Sequence, residues 1–430
     1  MSKNTAKDSV EKDVPLRVGL IGVTGYAYAY FEELTLLVEK GLVAWGAVTI
    51  INPEEAAEQV DFFKSISVPI YDDYRTMLEK EHNCLDWVCV PTAISWHTQM
   101  TLDSLRHGLP VLLEKPIAST LQEVKAIQDA EKESGQPVAI GFQYYYCPKT
   151  AEIKQRFLSG DIGEIERIDC MCLWPRDFDY YHRNDWAGCV HDGHGWVLDS
   201  PLHNALSHLV NLILYFAGPS MDTRADLLNV TAELYRAKSI QNYDTIRCET
   251  KLDTGALATV LLSHSSVNCM DPEIRIQGTK GSLVWRFGGP HTLHTEAGVE
   301  DIEAESPLEV RSCMFDKVVR LFRGDTSVHV CTTELAKGEV KWMNAVQDAA
   351  PVHDVPPEYI RQLTSDKGEI FDVIEGLDEY VVKAFDQRCS FKELGAPWAV
   401  EPTSISLENY HGFEALYLKE FETSAVAKRS

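Results

Sequence analysis

Val18-Gly19-Leu20-Ile21-Gly22-Val23-Thr24-Gly25-Tyr26-Ala27 follows the apolar run Leu16 to Ile21 and leads into a helical pattern that extends to about Lys40. A strand, a glycine turn and a helix in that order place free amides and absent side chains where a phosphate can approach the backbone. Read as G-x-G-x-x-G/A, the turn gives Gly22, Thr24 and Ala27, with threonine in the place of the middle glycine. A Cβ at Thr24 crowds that approach, while Gly25 beside it restores freedom and the hydroxyl is itself a phosphate donor. Gly22, Val23, Thr24, Gly25, Tyr26 and Ala27 are therefore candidates to hold a dinucleotide, against the plainer reading of a structural strand-to-helix turn.

Working outward, short apolar runs alternate with amphipathic stretches. Val43 to Ile51, Val68 to Tyr71, Leu85 to Val90, Val111 to Leu113 and Val138 to Phe142 read as buried strands. Pro53 to Phe63, Tyr74 to Glu81, Ser95 to His107 and Leu121 to Ser134 read as the helices between them. This alternation predicts right-handed crossovers and a doubly wound, mostly parallel α/β sheet. Thr120 and Glu123 stand at capping-box spacing before Leu121, Val124, Ile127 and Ala130, which share one helix face, and Gly135 supplies the stop.

Past about Lys149 the period changes from 3.6 to 2. Ile168, Cys170, Cys172 and Trp174 share one strand face, and Ile246, Cys248, Thr250 and Leu252 share another. Turns at Asp253-Thr254-Gly255 and Gly278-Thr279-Lys280-Gly281 join neighbouring strands. A polar alternate face predicts an α+β domain with a large open, mostly antiparallel sheet. Lys341 to Phe385 reads as helical, interrupted at Pro351 to Pro357. The expected division is 14–145 for the first domain and 146–430 for the second.

A formal charge of −25 over 430 residues repels phosphate backbones and anionic lipids, so neither nucleic acid nor membrane is an expected partner. The cysteines, odd in number at 11, lie mostly in apolar segments and read as reduced, buried thiols. The polar segment from Met1 to Asp13 has no leader-like apolar core, and the expected location is cytoplasmic.

At the end of the second strand a dinucleotide site usually has an acid for the adenosine ribose. Here the chain reads Thr49-Ile50-Ile51-Asn52, so Asn52 is the candidate, with no nearby arginine to favour a 2′-phosphate. That favours NAD over NADP. Further on, Pro91-Thr92, His97, Gly108-Leu109-Pro110-Val111-Leu112-Leu113-Glu114-Lys115-Pro116, Gly141-Phe142-Gln143 and Gly160-Asp161-Ile162-Gly163-Glu164 follow in order. Their order and spacing resemble the Gfo/Idh/MocA family of NAD(P)-dependent oxidoreductases, which includes glucose-fructose oxidoreductase and inositol dehydrogenase. The resemblance implies an N-terminal Rossmann domain, a C-terminal domain with an open sheet, a sugar, polyol or sugar-derivative substrate, and a homodimer or homotetramer formed through that sheet. It adds Pro91, Thr92, His97, Glu114, Lys115, Pro116 and Gln143 to the cofactor-binding candidates.

Lys115 also stands out on physical grounds. Pro116 cannot continue the sheet ladder, so the lysine leaves the carboxyl end of a strand, where an ammonium would stabilise developing oxygen charge. Oxidation of an alcohol needs a base as well, and histidine is the usual one. The family's Asp-x-x-x-His motif aligns in two ways, as Asp199 with His203 or as Asn204 with His208, and His208 is slightly favoured. Trp174, Arg176, Tyr181, Arg183, Asn184 and Trp186 combine rings for a sugar face with polar groups for hydroxyls, and the two arginines also suit a carboxylate. Tyr145 and Cys147 stand where the family often has Arg and Asn, which leaves the substrate open. His191, His194, His203 and His208 lack ligand spacing, and no metal is expected.

The reading that follows is a dehydrogenase with NAD at the domain cleft. Two alternatives stand beside it: an enzyme that retains NAD to assist elimination or glycoside cleavage, and a non-catalytic ligand sensor on the same scaffold.

Overall fold

The computed structural model describes residues 14–419 and residue 421. Contacts group the described chain into two compact units, one of residues 14–117, 125–146 and 308–333, the other of 118–124, 147–307 and 334 onward.

In the first unit the order is β1 (Leu16–Ile21), α1 (Ala27–Glu39), β2 (Val43–Thr49), α2 (Ala57–Ser65), β3 (Ile70–Tyr71) and α3 (Tyr74–Glu81). Then come β4 (Trp87–Val90), α4 (Ile94–Arg106), β5 (Val111–Leu113), α5 (Leu121–Ser134) and β6 (Val138–Ile140). The six strands lie in the order β3-β2-β1-β4-β5-β6, all parallel. The chain therefore reverses direction across the sheet between β1 and β4, the switch point where open α/β sheets bind ligands. Val18, Leu20, Val88, Cys89, Leu112 and Ile140 are fully buried, as a sheet covered on both faces requires. The capping box forms as the spacing predicts: the Thr120 amide donates to Glu123 Oε2 at 2.9 Å, and the Glu123 amide to Thr120 Oγ1 at 3.3 Å.

The helix Pro307–Phe322, remote in sequence, belongs to this unit. Phe315 meets Tyr30 edge-on at 5.1 Å, and Phe322 lies 5.3 Å from Trp87. The sequence reading assigned no role to this segment, because only tertiary packing gives it a partner.

The second unit runs through α6 (Pro148–Leu158), β7 (Ile165–Leu173), α7 (Phe178–His182), a π-helical turn Pro201–Ala205, α8 (Ser207–Ala217) and β8 (Asn229–Arg236). It continues with β9 (Thr245–Lys251), β10 (Leu257–Ser263), β11 (Met270–Gly278), β12 (Ser282–Arg286), β13 (His291–Thr295) and β14 (Gly298–Ile302). After the helix described above, here α9, come α10 (Thr333–Ala349), β15 (Val352–Asp354), β16 (Ile360–Thr364), β17 (Ile370–Ile374), α11 (Leu377–Gln387) and β18 (Thr403–Ser406). Ten strands form one sheet, β14-β13-β12-β11-β7-β10-β9-β8-β15, with β18 also on β8. Only β7–β10 and β8–β15 pair in parallel; the other pairs are antiparallel.

One expectation needs correction. Lys341 to Phe385 is not continuously helical, since β15 and the β16–β17 hairpin occupy its middle. Tertiary pairing overrides the helical propensity there. The large, mostly antiparallel sheet is as expected, and part of the face it offers to helices is covered by the chain's own α11 and the loop after it: Leu173, Tyr235 and Leu261 are buried with Leu377, Val381, Phe385, Phe391 and Trp398.

Candidate active site

In the first unit the candidate cofactor residues follow the carboxyl ends of β1, β2, β4, β5 and β6. Gly22 and Gly25 adopt φ of +89° and +60°, which side-chain-bearing residues rarely reach. The Gly22 amide donates to the Thr49 carbonyl at 2.9 Å, which pins the turn to β2. Val23 is buried and Thr24 exposed, and a Cβ at Gly25 would meet nothing within 4 Å. Threonine in the middle position thus sits on the open side of the turn, and the cradle fits a pyrophosphate against the start of α1. Tyr26 reaches across the cradle, its hydroxyl donating to Gln143 Oε1 at 3.4 Å. Asn52 is exposed beyond the end of β2 and donates to Glu55 Oε2 at 3.4 Å.

Pro91 and Thr92 follow β4 directly. His97, on α4, has no exposed surface, and its ring nitrogens lie 2.7 Å from the Pro116 carbonyl and 3.0 Å from the Thr92 carbonyl. It braces the loop after β4 to the loop after β5. Its place is thus behind the candidate cofactor surface, holding Thr92 and Pro116.

Glu114, Lys115 and Pro116 follow β5 directly, with a cis bond between Lys115 and Pro116. Glu114 and Pro116 are buried, and Lys115 between them is partly exposed. The Tyr30 hydroxyl donates to Glu114 Oε2 at 2.7 Å. A Cβ at Gly141 would sit 2.5 Å from that same oxygen, so glycine at 141 is what leaves the carboxylate room. Burial pushes the Glu114 carboxyl up to about 7, opposed by the Lys115 ammonium and the Tyr30 hydroxyl.

The sign of the resulting pH effect follows from linkage. Between about 4.5 and 7 the folded protein keeps a proton that the unfolded chain has released, so this group's contribution to stability falls as pH rises through that window. The loss amounts to about 3 kcal/mol. Glu114→Gln, which keeps the acceptor for Tyr30 without the charge, should remove that component. Urea unfolding of both proteins at pH 5 and pH 8 measures it, and equal pH dependence in the two would contradict the assignment.

The second unit carries the candidate acid–base groups around the π-helical turn. Asp199 is buried; the Gly188 amide donates to its Oδ2 at 2.6 Å and Asn204 Nδ2 to its Oδ1 at 2.8 Å. Burial raises its carboxyl pKa, against those two hydrogen bonds and the Arg183 and His203 charges. His203 is fully buried, with Nδ1 2.9 Å from Glu339 Oε1. Asn204 and His208 are partly exposed, and His208 sits in the first turn of α8. The five-residue spacing therefore separates one histidine locked inside the unit from one that reaches its surface.

Around α7 the predicted substrate residues divide. Arg183 and Arg176 lie on Tyr180, their guanidiniums 3.7 Å and 4.5 Å from the centre of its ring, and Trp174 lies 5.6 Å from Arg176 and Trp186 5.2 Å from Arg183. Tyr181 is instead buried, its hydroxyl 2.9 Å from Nδ1 of His264. Asn184 is occupied by a turn, its Oδ1 accepting from the Trp186 and Ala187 amides at 3.2 and 2.8 Å. Sequence reading missed Tyr180 and His264, which only the folded loop brings beside the arginines. Among the described residues no cluster of three His, Cys, Asp or Glu side chains has metal-site geometry.

Comparison with known proteins places these features. Residues 16–142 match the model for an oxidoreductase family with an NAD-binding Rossmann fold, and residues 150–284 match the GFO/IDH/MocA C-terminal domain. An inositol 2-dehydrogenase of Serratia proteamaculans is 27% identical over 192 residues, which is 44% of this chain and 52% of that enzyme. The NAD(+)-dependent scyllo-inositol 2-dehydrogenase of Bacillus subtilis is 25% identical over 62% of this chain and 73% of its own length. The chain thus spans about half the length of the first of these relatives. The solved structure of an inositol dehydrogenase homologue from Azotobacter vinelandii with NAD+ superposes with a TM-score of 0.68 at 18% identity, over 78% of this chain and 96% of that one. The Bordetella pertussis dehydrogenase WlbA, solved with NADH and UDP-GlcNAcA, gives 0.63 at 18% identity, covering 77% and 95% of the two chains. At those identities the structural matches speak for the fold. With both halves matched in order and the glycine turn, the Glu-Lys-Pro strand end and the large sheet in place, the chain belongs to the Gfo/Idh/MocA family of oxidoreductases.

Proposed function

We propose that this protein is an NAD-dependent dehydrogenase that moves a hydride between the cofactor and the carbon of a secondary hydroxyl in a sugar, polyol or sugar derivative. The observation that carries the reading is Lys115, partly exposed at the end of β5 with its neighbours Glu114 and Pro116 both buried and braced. When bound, NAD supplies a two-electron acceptor for the hydride. The turn from Gly22 to Ala27 would hold its pyrophosphate, and Asn52 the adenosine ribose. Neutral Asn52 offers no positive charge for a 2′-phosphate, which favours NAD over NADP.

Lys115 is assigned to stabilise the alkoxide-like oxygen as the hydroxyl proton departs. A general base must reach the proton it removes, so His208, partly exposed, is assigned that role in preference to buried His203. Asp199 and Asn204, bonded to one another, would fix the turn that precedes α8. His203, held on Glu339, is assigned to that turn's support. The 14–145 and 146–430 division is retained as the proposal for the cofactor-binding and substrate-binding parts. The reading includes a cytoplasmic homo-oligomer formed through the part of the sheet that α11 leaves uncovered, a point that sedimentation velocity tests. Among the described residues no helix is long and apolar enough to cross a membrane.

The direct experiment is mass spectrometry of nucleotide released from freshly purified, denatured protein, with a panel of polyols and sugars followed by nicotinamide absorbance. NAD or NADH in the released fraction and NADH formation with one compound class are expected. Failure of NAD to bind, or of every compound to reduce it, would overturn the reading.

A further inference from the structure

Two guanidinium groups of the second unit stand apart from the rest. Nine other arginines of that unit, Arg156 through Arg388, each lie within 4 Å of a carboxylate. Arg176 and Arg183 have no such partner among the described residues, although Asp177, Asp179 and Asp185 belong to the same loop. Asp177 instead caps α7, its Oδ1 accepting from the Tyr180 amide at 2.8 Å. Asp271 accepts from Trp174 Nε1 at 3.0 Å, and both Asp199 oxygens are taken by Gly188 and Asn204. In a chain with a formal charge of −25, two cations on one tyrosine ring left without carboxylates run against the general balance.

The geometry of the pair adds a second observation. Arg176 Nε is inaccessible to solvent and makes no hydrogen bond. A buried donor left unmade costs about 1–3 kcal/mol, so such atoms call for an explanation. The side chain is held by ring faces instead, with its guanidinium 5.6 Å from the centre of Trp174 and 4.5 Å from that of Tyr180. Arg183 rests on Tyr180 and Trp186 and donates to the Tyr180 carbonyl. Packing on rings fixes the planar forks while leaving N–H groups for a ligand, which a carboxylate pairing would have consumed. Close by, burial, then the Arg176, Lys238 and Arg183 charges, hold the His264 imidazole well below its ordinary range. Lys238 itself is buried and donates to the Asp372 carbonyl at 2.8 Å.

We propose that Arg176 and Arg183, stacked on Tyr180, form an anion subsite, and that the substrate is a sugar carrying a carboxylate or a phosphate rather than a neutral polyol. The inference rests on the dehydrogenase reading for the word substrate, but the subsite itself does not. Trp174 and Trp186 at the sides supply apolar surface for a pyranose C–H face, and the two forks held on Tyr180 supply N–H donors to an oxyanion.

The test is calorimetric titration of the full-length protein, with and without NAD, using D-glucuronate, D-galacturonate, D-gluconate, D-glucose 6-phosphate, D-glucose and myo-inositol. At least one anion is expected to bind tenfold or more tightly than D-glucose, and Arg176→Gln and Arg183→Gln should each remove most of that ratio. Arg176→Lys, which keeps charge without the fork, should restore part of it, and the melting temperature of each variant checks folding. Preference for D-glucose 6-phosphate over the carboxylates would assign a phosphate, and the reverse a carboxylate. Equal binding of anions and D-glucose, no binding of any anion, or ratios unchanged in both Gln variants would overturn the subsite. Arginine-dependent anion binding with no NADH formed from any compound would overturn the dehydrogenase reading alone. NADH formation from a neutral polyol at an unchanged rate in both variants would overturn the anionic substrate and leave the dehydrogenase reading standing.

Discussion

Lys115→Met is expected to lower kcat/KM for the preferred hydroxyl substrate by about a thousandfold while NAD affinity changes little. The reason is electrostatic. As hydride leaves carbon and the proton leaves oxygen, negative charge grows on that oxygen, and a preformed ammonium lowers the cost of that growth more than it favours the neutral alcohol. Methionine keeps the length of the side chain and its packing without the charge. Lys115 is partly exposed, so the melting temperature should move little, and the loss should fall mainly on kcat. His208→Gln serves as companion. Oxidation requires the unprotonated base, so the wild-type rate should rise with pH through that base's titration, and the variant should lose the rise. His203→Gln should instead lower stability, because His203 is fully buried on Glu339. Steady-state kinetics from pH 6 to 9 on the three variants checks these outcomes. Lys115→Met with undiminished turnover would remove the proposed mechanism.

The second large effect concerns stability. Lys154, on α6, has no exposed surface, and its Nζ donates to the carbonyls of Tyr215 at 2.7 Å, Phe216 at 3.2 Å and Gly218. Those carbonyls end α8, the helix whose first turn bears His208. A helix terminus leaves its last carbonyls without intrahelical donors, and here one buried amine serves three of them. Replacing it by methionine should cost about 2 kcal/mol near pH 7, because desolvated acceptors would be left unmade. Burial lowers the Lys154 pKa to about 7 from an ordinary 10.5. Between those values the unfolded chain binds a proton that the folded protein does not, so wild-type stability rises with pH across the window. Methionine cannot titrate, so the deficit of Lys154→Met should widen above pH 7 by up to about 1.4 kcal/mol per pH unit. Chemical denaturation at pH 6.5, 8 and 9.5 reads the trend; a deficit that is constant or shrinks with pH would count against it.

Cysteine usage shows how local patterns can mislead about exposure. Cys89, Cys147, Cys170, Cys172, Cys248 and Cys331 are buried, as their apolar contexts predict, whereas Cys84 and Cys269 are exposed. Cys84 ends a short 3₁₀ turn and Cys269 precedes β11, positions that neighbouring residues do not betray.

The alternation of buried runs with helices determined the parallel sheet, and the capping box at Thr120 determined the start of α5, because both depend on residues within a few positions of one another. The Gly22 turn and the Glu114-Lys115-Pro116 strand end were legible for the same reason: a φ that favours glycine and a residue that cannot extend a sheet are local constraints. Tertiary structure alone decided which histidine reaches the surface, since His203 and His208 differ by the placement of Glu339 on a distant helix. It also decided that α11 covers part of the second sheet face, and that Tyr180 gathers two arginines with no carboxylate between them. Burial and charge pairing are sums over neighbours far apart in sequence, and a one-dimensional pattern carries only the terms contributed by residues near each other along the chain.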